Sequence, residues 1–431
     1  MYKVLFIILC ATCIYGTIYD FETLSNKLIN TSPKLKQYEV DVIIAKENIN
    51  IANAEYYPNL KIAVNSEYSK KFEGLFVPSY VGEDSITQSS GRYFSSSLYL
   101  SYELFNFGAT KYSTEVAKQN LSSASAAKCI KEKESVLSLL DAYSKLRTGN
   151  YQLKGYGRIQ ELYQELYSLT KRLYESGRLA KTNSMEYAKE LADVLTLISN
   201  TKEERAGHIS QIMYLSGVEI TAEDTILPLE KTTFSYEDVP FEKSNTAKQL
   251  RAVIAQKQAK VNLQKTAYLP VISFYGKYDM YGSSDNSYNA AFDNLERNGY
   301  RIGISFSWSL FDGFRNEAEV SIKKMELMQS RFAYEDTKRA YEQEQFMTQS
   351  QIASEHDRLE SIGQSSNFSL ELVQAESLLY EAGELDKITL LNNQINQLKI
   401  DIVQNEALER LNMNIKKREI MNEKESRCVA H

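Results

Sequence analysis

The groups of this 431-residue chain that could ligate a metal or attack a substrate are few and scattered. His208, His356 and His431 share no metal-ligand spacing and read as surface residues. Cys10 and Cys13 fall in an N-terminal apolar run, and the remaining pair, Cys129 and Cys428, makes no disulfide framework. Cys129 reads as a small packed helix residue. Phe107-Gly108 and Asp312-Gly313 lack the other residues of a phosphate loop or a nucleophile elbow. Glu355, Asp357 and Glu360 form an acidic cluster on a helical stretch, either a solvated face or a cation-attracting ring inside a lumen. With no ATP-binding motif either, the chain is expected to be no enzyme, to need no cofactor and no metal, and to take any energy from a partner.

The elements that would position other kinds of site are long. Only 18 Gly and 6 Pro punctuate the chain, and its charged fraction of 25% and mean hydropathy of -0.40 exclude a polytopic helical membrane protein. Fifty Lys and Arg against 56 Asp and Glu, with no long basic block, exclude a nucleic-acid partner. Thirty Tyr and 17 Phe against 1 Trp suit a surface that is apolar at one end and wet at the other, as at a membrane boundary. Lys3 and the apolar run Val4 to Ile14 read as a secretory signal peptide over residues 1–16. Lipidation at Cys13 is a second reading of the same stretch, weakened by Cys10 where such signals carry Leu.

The chain repeats itself. Leu104-Phe105-Asn106 returns as Leu310-Phe311-Asp312, and Leu173-Tyr174-Glu175-Ser176-Gly177 returns as Leu379-Tyr380-Glu381-Ala382-Gly383, both at an offset of 206. Residues 17–216 form the first copy, 217–244 a linker with Pro228 and Pro240, 245–421 the second copy and 422–431 a C-terminal tail. Each copy reads as a helix ended by a proline, two strands and a long helix hairpin. The strands are expected at 60–70 and 94–105, then at 271–281 and 300–311, and the hairpins at 108–216 and 313–421. Lys71 to Arg92 and Gly282 to Gly299 read as long loops. Gly149, Gly155 and Gly157 are expected to mark a break or bulge in the first long helix, and Gly177 and Gly383 to turn the hairpins.

Along the strands the two faces separate by type. Leu98, Leu100, Ile302, Ile304, Phe306 and Trp308 make a lipid-facing row, and Ser97, Ser101, Glu103, Arg301, Ser305 and Ser307 make a wet, lumenal one. Four strands cannot close, and an open edge in lipid would leave backbone groups unpaired. Three chains sharing 12 strands would leave a lumen that small polar residues suit, whereas 8 would nearly fill. The fold class is thus an α+β membrane protein: four transmembrane strands per chain in a shared trimeric 12-stranded β-barrel, with long antiparallel coiled-coil helices extending it as an α-barrel.

Tyr57-Pro58-Asn59-Leu60 and Leu269-Pro270-Val271-Ile272 before strands, Ser309-Leu310-Phe311-Asp312-Gly313, and the duplicated Tyr-Glu-x-Gly-x-Leu turns resemble the TolC-type outer-membrane efflux protein family over nearly the whole mature chain. The resemblance implies a homotrimer in the outer membrane of a Gram-negative bacterium, with a large periplasmic portion. It implies a periplasmic adaptor (membrane fusion) protein and an inner-membrane pump of the resistance-nodulation-division or ABC type as partners, and the lipid bilayer around the strands. The function it implies is an exit duct of a tripartite export system for drugs, small molecules or metal ions. Type I protein secretion is the alternative within the family, and a periplasmic spacer or barrel-anchored adhesin the alternative from another class. By the same resemblance Gly177, Leu179, Gly383 and Leu385 sit at adaptor-docking hairpin tips, although each Leu could instead pack back on its own hairpin. The gating acids common in the family, six and nine residues after the second turn glycine, are here Thr389 and Asn392. Glu384, Asp386 and Glu186 are the candidate entrance charges, with a plain helix-start role as the other reading of the first two.

Overall fold

The computed structural model describes residues 17–70, 91–221, 225–229, 239–295 and 297–422. The signal peptide with Cys13, most of the first long loop, His431 and nearly all of the C-terminal tail lie outside the described residues. The chain divides into two compact units: Met1–Val40, Ala126–Ala247 and Asp336–His431 in the first, Asp41–Ser125 and Lys248–Glu335 in the second.

In the first unit, helix α1 (Phe21–Thr31) starts where Asp20 accepts a hydrogen bond from the Thr23 amide at 2.6 Å, the usual way a carboxylate satisfies an orphan donor at a helix start. Its Phe21, Leu24 and Leu28 are buried against Leu139, Leu140, Tyr143 and Leu146 of α3 (Ala109–Glu175), Ile212 of α4 (Lys181–Ser216) and Ile420 of α8 (Lys387–Asn422). Strand β1 (Ile18–Tyr19) pairs in parallel with β4 (Thr225–Ile226). The supposed linker therefore carries structure: β4, the buried Ile220 and Leu229, and a 3-10 turn at Phe241–Lys243 with Phe241 buried. The Tyr143 hydroxyl donates to the Leu227 carbonyl at 2.6 Å, and burial pushes its pKa upward.

A second core gathers Ile159, Tyr163 and Leu166 of α3, Val194 of α4, and Leu391, Ile395 and Ile402 of α8. The contact of α8 with α7 (Arg315–Glu381) includes polar bonds, among them Asn393 donating to Glu376 at 2.7 Å and Ser366 to Asp401 at 3.2 Å.

The expected break in the first long helix is absent, because α3 runs unbroken through Gly149, Gly155 and Gly157. A glycine costs a helix only about 1 kcal/mol, little beside the packing of many turns on either side. At Gly155 the missing side chain has a use: an added Cβ would lie 2.5 Å from Ile402 Cγ1, so glycine lets α8 approach.

The second unit holds the four-stranded antiparallel sheet, in the order β2 (Asn59–Ser69), β3 (Gly91–Phe105), β5 (Val271–Ser284), β6 (Arg297–Ser307). With it go most of α2 (Pro33–Ala54), α5 (Asn245–Thr266) and the first parts of α3 and α7. The strand expected at 300–311 starts and ends earlier, so Trp308 lies beyond it and donates its indole N–H to the Tyr268 carbonyl at 3.0 Å. Gly282 to Gly299 is likewise less of a loop than expected. It contains the end of β5, a short helix α6 (Tyr288–Asp293) and the start of β6. Phe292 of α6 meets Phe94 edge-on at 4.9 Å between ring centroids, and a Cβ on Gly282 would fall 2.0 Å from the Ala291 carbonyl oxygen.

Lys257 of α5 and Lys323 both donate to Glu326 at 2.8 Å, and these bonds hold its carboxyl down at about 2 from an ordinary 4.5. The folded value lies below the unfolded one, so the stability that Glu326 supplies is complete above pH about 4.5 and is lost as pH falls toward about 2. The Glu326→Gln variant is expected to flatten the pH dependence of the unfolding midpoint within that window. An identical dependence in both proteins would remove the pair from the acid response.

Candidate channel and docking surfaces

Antiparallel pairing puts residues directly opposite one another on the same face, so the register assigns the strand faces without reference to type. Leu98 lies opposite Ile62 and Tyr278, Leu100 opposite Leu60, Phe274 opposite Ile304, and Ile272 opposite Phe306. These form one continuous apolar face with Ile302, and Leu60, Ile62, Ile302, Ile304 and Phe306 are each 63–68% exposed. Such a large exposed apolar sheet face needs lipid or protein to cover it.

The opposite face carries Ser97, Ser101, Arg301, Ser305, Ser307 and Glu103, the last just before the ladder shifts register between Glu103 and Phe105. One rung of this face runs Lys61, Tyr99, Lys277, Arg301 across all four strands. The next includes Ser97 and Asp279, whose carboxylate accepts from Ser97 at 2.6 Å and from Lys277 at 2.9 Å. Lys61, Lys277 and Asp279 were visible in the sequence as the polar members of the alternation, but only the register brings them level with Arg301.

Where β3 and β6 end, the chain turns into its long helices with aromatic side chains exposed. Phe105 and Phe107 meet at 4.6 Å and Phe311 and Phe314 at 5.5 Å between centroids. Each turn uses two consecutive left-handed residues: Phe107 (φ 53) then Gly108 (φ 88), and Gly313 (φ 69) then Phe314 (φ 65). At the repeat offset these positions correspond with Gly and Phe exchanged. A left-handed Phe costs roughly 1–3 kcal/mol, so the arrangement keeps an aromatic residue at the turn in spite of strain.

The hairpin turns in the first unit are built identically. Gly177 (φ 72) donates to the Tyr174 carbonyl and Arg178 to that of Leu173; Gly383 (φ 78) donates to Tyr380 and Glu384 to Leu379. This is the helix-ending motif in which a left-handed glycine lets two amides reach back to orphan carbonyls. Leu179 and Leu385 are half-buried, and Glu384 and Glu186 are exposed. Asp386 caps α8, accepting from the Thr389 amide at 3.0 Å and hydroxyl at 2.7 Å, and these bonds hold its carboxyl below the usual range and therefore ionised at neutral pH. Thr389 is thus occupied with the cap, and Asn392 donates to the Tyr187 hydroxyl of the other hairpin at 2.8 Å. Lys387 pairs with Glu165, and Lys399 lies 5.8 Å from the Tyr163 ring centre. Sequence inspection missed Tyr187 and Tyr163, which nothing but their place on inward helix faces distinguishes.

The other singled-out residues do not assemble. His208 is half-buried at a cavity of about 560 Å³ with Arg205 and Glu406, and His356 is exposed. Among the described residues no group of three His, Cys, Asp or Glu could hold a metal. The acidic cluster splits, Glu355 turning to Arg410 at 3.4 Å while Asp357 and Glu360 stay exposed. No described helix is long and apolar enough to cross a membrane.

With this architecture in view, the comparisons agree. The sequence profile of the outer membrane efflux protein family matches residues 24–206 and 243–413. No curated protein gives a significant match. The outer-membrane channel OprN is 18% identical over 93% of this chain and 90% of its own, with a TM-score of 0.77. The Campylobacter jejuni CmeC outer membrane channel is 13% identical over 94% and 86%, at 0.73, and the open-state Neisseria gonorrhoeae MtrE outer membrane channel 15% identical over 93% and 88%, at 0.70.

The chain belongs to the outer membrane efflux protein family. It is an outer-membrane exit channel with a large periplasmic portion, and not an enzyme.

Proposed function

We propose that three copies close head to tail into a 12-stranded barrel and a helical tunnel, forming the passive exit duct of a tripartite export system. The carrying observation is that, among the described residues, the edge strands β2 and β6 have no outer neighbour and the helices continuous with them, α2 and α7, carry uncovered apolar faces. Beside β2, Ile43, Ile44 and Ile51 of α2 are 54–68% exposed, whereas Ala252, Ala259 and Val261 of α5 are buried. Beside β6, Ile322, Met325 and Phe332 of α7 are 55–67% exposed. Two different surfaces left open on one chain make a heterologous contact, which forms a ring when the rotation between copies closes.

Cargo is chosen by an inner-membrane pump, of the resistance-nodulation-division or ABC type, and handed over by a periplasmic adaptor docked at the hairpin tips. Native mass measurement in detergent should give a trimer, and the purified trimer should conduct in a planar bilayer. A monomer or dimer would overturn the assembly, and a non-conducting trimer would favour a spacer or adhesin. Type I secretion would show instead as loss of a secreted protein, with drug and metal susceptibility unchanged, on deletion of the chain.

The apolar strand face meets lipid in this reading. The Ile304→Arg variant should therefore weaken assembly by about 2–4 kcal/mol per chain near the bilayer midplane. Ser305→Arg, on the opposite face, should insert and trimerise normally. Equal trimer yields for both variants would refute the assignment of faces.

A further inference from the structure

We infer that the polar face of the strands carries an anion-selective belt, built by Lys61, Lys277 and Arg301 around Tyr99, that favours small solutes bearing carboxylate or phosphate groups. The inference rests on the proposed barrel, which turns this face to the lumen. The three bases occupy one rung, opposite one another through the pairs Lys61–Tyr99, Tyr99–Lys277 and Lys277–Arg301. Neighbouring strands lie about 4.8 Å apart, so the rung sets three cations within roughly 15 Å across the sheet. Lys61 is exposed and the Arg301 side chain is 71% exposed, both open to a passing ion. Lys277 lies 4.8 Å from the Tyr99 ring centre, a contact that fixes the ammonium over the aromatic face.

Balance of charge decides the sign. Among the described strand residues of this face, the rungs on either side of the belt hold one charged group, Asp279, which contacts Lys277 at 2.9 Å and Arg301 at 3.6 Å. The next acids on the face are Glu103, four residues beyond Tyr99, and Glu67, six beyond Lys61. At about 3.4 Å per residue they stand roughly 14 and 20 Å away, beyond the screening length of about 8 Å at physiological salt. Three bases against one acid leave each chain two positive charges at this level, repeated in every copy around the ring. Low-dielectric walls concentrate such a field and enrich the counter-ion, here an anion. The same three bases turned to lipid would each be costly near the midplane, which makes the lumen their place.

The test is the reversal potential of the purified trimer in a planar bilayer under a potassium chloride gradient, repeated with inorganic phosphate on one side. The wild-type channel should favour chloride over potassium. The triple variant Lys61→Gln, Lys277→Gln, Arg301→Gln should lower the chloride-to-potassium permeability ratio by roughly threefold or more and lose any block by phosphate. Lys61→Glu alone, at an exposed position, should move the ratio the same way, and Asp279→Asn should raise it. A conducting trimer whose ratio is the same in the wild type, Lys61→Glu and Asp279→Asn would overturn the belt while leaving the barrel intact. A wild-type trimer that passes no current would overturn the barrel, and the belt with it.

Discussion

Replacing Arg147 with Ala is expected to destabilise the first unit by about 3–5 kcal/mol, because it leaves the Glu409 carboxylate buried without its counter-ion. Arg147 donates to Glu409 through Nε at 2.9 Å and Nη2 at 2.7 Å, and the two side chains are only 5% and 3% exposed. The guanidinium also donates to the Ile226 carbonyl at 3.0 Å and to the Tyr151 hydroxyl at 3.1 Å. One side chain thus ties α3 to α8 and to β4, and its fork satisfies a strand carbonyl. A fall of the detergent unfolding midpoint, with reduced trimer yield, is the expected readout. Replacing both partners, as Arg147→Met with Glu409→Leu, should recover much of the loss, since an apolar pair of similar volume is often neutral or better. If Arg147→Ala unfolds with the wild type, water must be reaching the pair.

The parts of the molecule that sequence reveals are those whose physics repeats along the chain. Alternation at Leu98, Leu100, Ile302 and Ile304 marks a sheet with one apolar face, and Val136, Leu139, Leu140, Tyr143 and Leu146 mark a buried helix stripe. Gly177 and Gly383 show because only a left-handed residue ends one helix and reverses into the next so tightly. What stays hidden depends on distance along the chain. β1 and β4 are two residues each, too short for any period, and pair across a full repeat. Arg147 and Glu409 are 262 residues apart and look like ordinary helix charges. Gly155 was misread for a related reason: its value lies in the approach of Ile402, and local propensity alone points to a break. The basic belt is intermediate, since each member was legible as a polar strand residue while the rung that unites them is a matter of register.

At the hairpin tips, exchanging Leu179 and Leu385 for Asp should abolish export while leaving barrel insertion and trimer yield unchanged. Both residues follow their turn glycine by two positions in turns of identical hydrogen bonding, and both are half-buried, so each leaves part of its side chain open to a partner. An apolar side chain in that position suits an apolar partner surface, and a carboxylate there would be desolvated on docking at a cost of several kcal/mol. Substitution by Ala separates the roles, because it trims the contact without introducing a charge. Loss of trimer along with export would assign the leucines to packing, and full export from the double Asp variant would remove the turns from the docking surface. The neighbouring charges can be tested without touching the turn. Asp386→Asn keeps a capping side chain at the start of α8 while removing its charge, and Glu384→Gln removes the exposed one. If these acids line the entrance, the pair of changes should shift selectivity toward anions. That is opposite in sign to neutralising the strand belt, so one recording reports separately on the two sites. A reversal potential unmoved by the tip variants would leave Asp386 as a helix cap and Glu384 as a solvated charge.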